Sequence, residues 1–440
     1  MLLLLALQLT PVEVDGPCRI HLTDPAGKPV KPPGFPFWKD HFVVPGRVEL
    51  DLPPGRYAYE VERGPEWTSA AGTFDVPGPL KAGLKRVADL ASEGWWSGDL
   101  HIHRPPGDVE LLMKAEDLRV GPVITWWNAR TLEGGPLRSF DGRLTRAIEG
   151  EDEREGGALL YFNLKAPLAI QGAKREWPSP VAFLEKAAGA HVDIEKPFWW
   201  DVPVWLATGK THTIGIANNH MCRSTVMDRE AWGKPRDAAR LPAPHGNGLW
   251  TQEIYYQILN AGLRVPPSAG SASGVLPNPV GYNRVYVKLD GPLDWDAWWE
   301  GLRAGRSFVT NGPLLRVDDR LRGRVDSRDP VKAVELIVNG KVERTAPGPE
   351  FDFGAVKIER GWFLVRAIAD VPHTFRFAST APRWVGGPRI SRAAVRFFLD
   401  WVDERMKRVD LPEPEKAEVL RPHLAARTFW LNLLERATDD

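Results

Sequence analysis

Cysteine is almost missing from this chain: Cys18 and Cys222 are the only two, and they stand far apart. Neither a disulfide framework nor a cysteine zinc site can therefore organise it. An excess of charge of either sign is missing too, because 57 basic residues balance 57 acidic ones. With no electrostatic footprint, nucleic acid and anionic membrane surfaces are not expected partners; the expected partner is a small-molecule substrate. After residues 1–9 no apolar run approaches the roughly 20 residues that span a bilayer, so no membrane span is expected. That start, MLLLLALQL, resembles the apolar part of a signal peptide, but it lacks a basic flank and an obvious small-residue cleavage site. Read as a shortened signal, it favours an exported or periplasmic location slightly over a cytoplasmic one; the other reading is a buried first strand. There is no internal repeat, no low-complexity tract and no G-x-S-x-G elbow for a nucleophilic serine.

Tryptophan (19) and proline (40) are abundant, which suits rigid loops and aromatic-lined clefts. The length of 440 residues suggests about three domains on the usual size prior. Residues 1–92 read as a small β-sandwich module, with short alternating runs such as CRIHLTD and RVELDL broken by turn signals. Residues 93–329 alternate strand-like runs (GPVITWW, ALLYFNL, HVDIEKPF, HTIGIANN) with helical stretches near 109–118, 180–188 and 250–261. Such alternation predicts an α/β layer or barrel whose active site lies at the C-terminal ends of the strands. Residues 330–440 return to strand signals, including an Asn339-Gly340 hairpin turn, and then give helices over 390–406 and from Pro422 to Leu434.

The most informative string is Gly98-Asp99-Leu100-His101-Ile102-His103. On an extended strand, residues two apart point to one face, so both imidazoles can converge on one point. Imidazole with carboxylate is the donor set of zinc, manganese or iron hydrolytic sites. Glu195, between Ile194 and the Lys196-Pro197 break, sits at an expected strand end; His220 closes the apolar run GIANNH. Asp193 and Asp201 are weaker candidates, and Glu116 and Asp117 fall on an expected helix. In the stretch from Pro266 to Val287 the serines Ser268, Ser271 and Ser273 can shape a pocket, while Asn278 and Asn283 can orient a substrate.

Together, GDLHIHR, IEKPFWWD, ANNHM, SASGVLPNPVGYNRVYV and GRSFVTNGPLL resemble motifs of the CehA/McbA-type metallohydrolases of the PHP (polymerase and histidinol phosphatase) superfamily. The resemblance covers about the middle half of the chain. It implies a PHP-like distorted barrel flanked by the N-terminal β-sandwich and a C-terminal β module with terminal helices. It also implies a metal-dependent hydrolase acting on a phosphoester, ester or carbamate bond. Two departures stand out: Thr125, Trp126, Trp127 and Asn128 replace the usual Asp-His pair, and Ser271, Ala272 and Ser273 replace a later Asp and His. One or two divalent ions (Zn, Mn or Fe) are then expected on His101, His103, Glu195 and His220. Glu195 is the expected ligand or base, with Asp117 as a second candidate for the base; Asn219, Asn278, Asn283 and Trp199 are the expected substrate contacts. The alternative is a catalytically degenerate PHP-like domain that binds a carbohydrate or other small ligand in a cleft formed by Trp126, Trp127, Trp199 and Trp200.

Overall fold

The computed structural model describes residues 7–127, 130–170, 175–387 and 389–438. Residues 1–6 of the apolar start, and Asn128 of the first departure, lie outside the described residues. Leu7 and Leu9 are 61% and 66% exposed, and Gln8–Val14 is a strand that turns only Thr10, Val12 and Val14 inward. Among the described residues no helix is long and apolar enough to cross a membrane.

The N-terminal segment folds as two facing sheets. One pairs Gln8–Val14 with Val48–Leu52 and Leu80–Ala82; the other is five-stranded and centres on Cys18–Thr23 and Gly55–Glu62. Val48–Leu52 and Gly55–Glu62 are consecutive, yet they lie in different sheets, so the Pro53-Pro54-Gly55 break carries the chain across the sandwich. Alternation along each strand buries Val12, Ile20, Phe42, Leu50 and Val61 between the sheets.

Of the remaining strands, Leu314–Val317, Arg322–Asp326 and Glu350–Asp352 make a small sheet of their own, and the others form one long mixed sheet. Along it run Pro267–Ala269, Thr213–Ala217, His191–Ile194, Gly157–Phe162, Arg143–Arg154, Val120–Trp127 and Trp95–Gly98. Several of these are buried on both faces, which is why they read as continuous apolar runs rather than alternating ones. Beyond Trp95–Gly98 the same sheet continues through Arg284–Lys288 and Ser307–Thr310 into Phe377–Thr380, Gly361–Ala369, Val331–Val338 and Lys341–Ala346. Strands on both sides of residue 329 are thus hydrogen-bonded into one sheet. The architecture is a mixed α/β body with a β-sandwich in front of it.

Residues 99–103 tie the two ends of the first seven strands together. Asp99 N donates to Val120 O and Ile124 N donates to Ile102 O on one side; on the other, Leu100 N donates to Ala269 O and His103 N to Ser273 O. The Asn339-Gly340 turn forms as expected, with φ of 48° and 84°, the left-handed values its hairpin requires. Pro422, expected to open the last helix, is instead inside Glu415–Glu435; the helix starts earlier, after Pro414, and carries Glu415 and Glu418 in its first turn. That helix and Arg392–Arg408 pack together against Val202–Thr208. Arg405, buried between them, pairs with Asp201 at 2.6 Å and Glu176 at 2.5 Å, and His423 lies 3.3 Å from Asp201.

Candidate metal centre

His101 and His103 leave the end of Trp95–Gly98 in extended chain, and both rings swing to the same side. Their Nε2 atoms lie 2.9 Å apart. A carboxylate absent from the sequence expectations completes the group: Glu151 Oε2 lies 3.3 Å from His101 Nε2 and 3.0 Å from His103 Nε2. Glu151 belongs to Arg143–Arg154 and pairs in register with Trp127, so it stands at the C-terminal end of the neighbouring parallel strand. The strand reads EGEDER, an acidic run that composition assigns to solvent, yet Glu149, Glu151 and Asp152 are all buried. The usable signal was the two-residue alternation of its glutamates, the same period that made the histidine pair legible.

Asp99 sets the backbone from which these groups project. Its Oδ1 accepts hydrogen bonds from His101 N (2.9 Å) and Ser271 N (3.0 Å), and its Oδ2 accepts one from Gly281 N (2.6 Å). Gly270 allows the close approach, since a Cβ there would stand 2.5 Å from the Cβ of His101.

Electrostatically this is a site for positive charge. Burial disfavours the His101 imidazolium, but Glu151 and Glu195 outweigh it and raise its pKa to about 10. Burial also works against the Glu151 carboxylate, yet His101 and His103 bring its pKa down to about 2. His103, by contrast, is held low by burial. A divalent ion can take over the charge that the pocket otherwise keeps as a proton. The donor spacing fits one as well: ligand bonds of about 2.0–2.1 Å place neighbouring donors roughly 3.0–3.4 Å apart, close to the 2.9, 3.0 and 3.3 Å observed here.

A second cluster, His21, Asp40 and His41 in the β-sandwich, also brings ligand-type atoms together. Its hydrogen bonds already account for every proton. Asp40 faces Nδ1 of both rings, at 3.3 Å (His21) and 2.9 Å (His41), while Arg19 Nε donates to His21 Nε2 at 3.1 Å. An ion on His21 Nδ1 would leave that ring no nitrogen on which to carry its proton, so this cluster does not fit a metal.

Of the other expected residues, Glu195 stands directly beside the first cluster. Glu195, on the step after His191–Ile194, lies 3.3 Å from His101 Nδ1. Asn219 and Trp199 both donate to Glu195, the latter at 3.0 Å. His220 stands outside the three converging atoms, but Lys196 and Glu195 are close enough to act on it. Burial, then Lys196, lowers its pKa to about 3, and it bonds to the backbone of Arg229. Its Nδ1 is buried without a partner, so that bond engages Nε2 and a lone pair remains free.

Asn278 braces the loops, donating to the carbonyls of Asn219 and Ser271 and accepting from Arg223 N. Asn283 donates to Met221 O, and its Oδ1 has no partner. Asp117 is not brought to the site. It precedes the N-terminal end of Val120–Trp127, the opposite end from Glu151, and pairs with Arg86, Arg143 and Arg119. Trp126, Trp199 and Trp200 are buried at 4%, 2% and 8% exposure, so the expected Trp cleft has most of its faces in the core. Trp127 is half-buried, with its ring 5.0 Å from that of His103 and its Nε1 donating to Glu153 at 3.1 Å.

No family model matches this chain, and no solved structure matches it. One curated protein is similar in part: the tetraacyldisaccharide 4'-kinase of Halorhodospira halophila is 29% identical over 108 residues, which is 24% of this chain. The matched segment spans 30% of that kinase. A stretch so short relative to both chains carries no activity across.

Proposed function

We propose that this protein is a metal-dependent hydrolase acting on a phosphoester, ester or carbamate bond. The observation that carries the reading is the convergence of His101 Nε2, His103 Nε2 and Glu151 Oε2 at the C-terminal ends of the two strands that flank Val120–Trp127. The motif resemblance to the CehA/McbA-type members of the PHP superfamily supports it. So do the hydrogen bonds of residues 100–103 to both flanking strands, the closure that a distorted barrel of these seven strands requires.

His101, His103 and Glu151 would hold a divalent ion, which would supply Lewis acidity and a water of pKa about 7. The chain's own work is positional. Asp99 fixes the backbone of His101 against the loop at Ser271 and Gly281, and the stiff strand ends keep the donors at coordination spacing. His220, neutral and with its Nδ1 lone pair free, can serve as a ligand to a second ion or as the acceptor of a substrate hydrogen bond.

Chromogenic phosphoesters, carboxylic esters and carbamates, assayed on metal-free protein and again after adding zinc, manganese or iron(II), test the proposal. Turnover of one class that depends on metal and disappears in His103→Ala is the expected result. Metal-loaded protein that cleaves none of the three would refute the hydrolase reading and leave a metal-binding protein.

A further inference from the structure

Glu195 and Glu151 both approach His101, but their surroundings differ in kind. Around Glu151 stand the Nε2 atoms of the two imidazoles, the donor atoms of a ligand set. Around Glu195 stand N–H groups. Lys196 Nζ reaches both of its oxygens, at 2.6 and 2.5 Å; Trp199 Nε1 donates to Oε2, Asn219 Nδ2 donates to Oε1, and His101 Nδ1 lies 3.3 Å from Oε1. A carboxylate offers about four lone-pair directions, and five contacts already occupy these.

We infer that Glu195 is not a metal ligand but the positioning carboxylate of His101, held in that role by Lys196, Asn219 and Trp199. The inference rests on the metal-site reading above and assigns the division of labour within it. Ionised, Glu195 only accepts, so the proton of His101 sits on Nδ1 and the Nε2 lone pair is turned toward His103 and Glu151. Lys196 is buried, with its Nζ 4.3 Å from the centre of the Trp199 ring, and it cancels the charge of Glu195. The pair brings no net charge to the site, leaving Glu151 as its anionic donor. Asn219 fits the same scheme, since its amide nitrogen is spent on Glu195 and its Oδ1 is turned away with no partner.

Replacing Glu195 alone would strand the Lys196 charge in the interior, so the informative variant is the double substitution Glu195→Gln with Lys196→Met. Zinc titration against a competing chelator, with the melting temperature of the metal-free protein as a control on folding, is the measurement. The expected outcome is unchanged zinc stoichiometry with affinity weakened about 10–100-fold, the range for loss of a group that orients a ligand. Loss of the ion from a folded double variant would make Glu195 a ligand and overturn the inference; unchanged affinity would overturn it as well. Should the double variant not fold, Trp199→Phe removes a single hydrogen bond to Glu195, and the same titration then expects a smaller loss, with no loss counting against it. Wild-type protein that takes up no zinc, manganese or iron would remove the metal-site reading itself. That outcome is distinct from wild-type protein that binds while the variant binds equally well.

Discussion

His101 and His103 act together because an extended chain repeats its direction every two residues, and that geometry could be read directly from the sequence. Glu151 could not, since a carboxylate within EGEDER looks solvated until the strand on either side of it is known. Glu195 was legible as a strand-end carboxylate, but its partners come from three separate positions: its neighbour Lys196, Trp199 four residues on and Asn219 after the next strand. The tightest constraint at this scale is Gly270. An alanine there would press its Cβ to 2.5 Å from that of His101 and to 3.3 Å from His101 N, both belonging to a braced segment. Gly270→Ala should therefore displace the ring and weaken metal binding by more than tenfold while the fold persists; chelator competition beside circular dichroism measures both.

The strands GPVITWW, ALLYFNL, HVDI and HTIGIA fall where their apolar runs place them, because burial on both faces leaves a continuous signature. The last helix was misplaced at its start since Pro422 reads as a first-turn residue, whereas the chain accommodates it inside Glu415–Glu435. Asp117 shows how an element boundary can mimic a catalytic carboxylate. It ends the turn after Val109–Ala115 at φ 49° and binds three arginines and the Trp67 indole. Burial opposes its charge, but Arg119, Trp67, Arg86 and Arg143 hold its pKa at about 2, below the ordinary 3.8. A depressed carboxylate pKa contributes stability that is fully present above the unfolded value and is lost as pH falls from about 4 through 2. Asp117→Asn, which tolerates the left-handed backbone, should thus flatten the acid limb of stability in that window. Urea midpoints at pH 2 to 5 check this, and an unchanged slope would deny Asp117 the role.

At the scale of the molecule, the sheet runs without a break from the strands around His101, His103 and Glu151 into Phe377–Thr380 and Gly361–Ala369. Composition cannot reveal this, because pairing between strands far apart in sequence leaves no local mark. The helical pair Arg392–Arg408 and Glu415–Glu435 is locked to the body through Arg405, whose side chain is 2% exposed and pairs with Asp201 and Glu176. Arg405→Met would leave two buried carboxylates without their cation. Breaking such a network costs about 3–5 kcal/mol, so denaturant unfolding should show a loss of that order, and a loss below about 1 kcal/mol would mean that the helices hold by apolar packing alone. An ion that binds only the folded chain should also raise the melting temperature, with a stabilisation of about 2.7 kcal/mol at a free concentration 100 times its dissociation constant.

The central claim is that His101, His103 and Glu151 hold a divalent ion. The metal content of purified wild-type protein and of Glu151→Gln, measured by inductively coupled plasma mass spectrometry after dialysis against zinc and manganese, tests it most directly. One or two ions per wild-type chain, and at least one fewer in Glu151→Gln, is the predicted result; no ion in the wild type, or equal content in both, would contradict it.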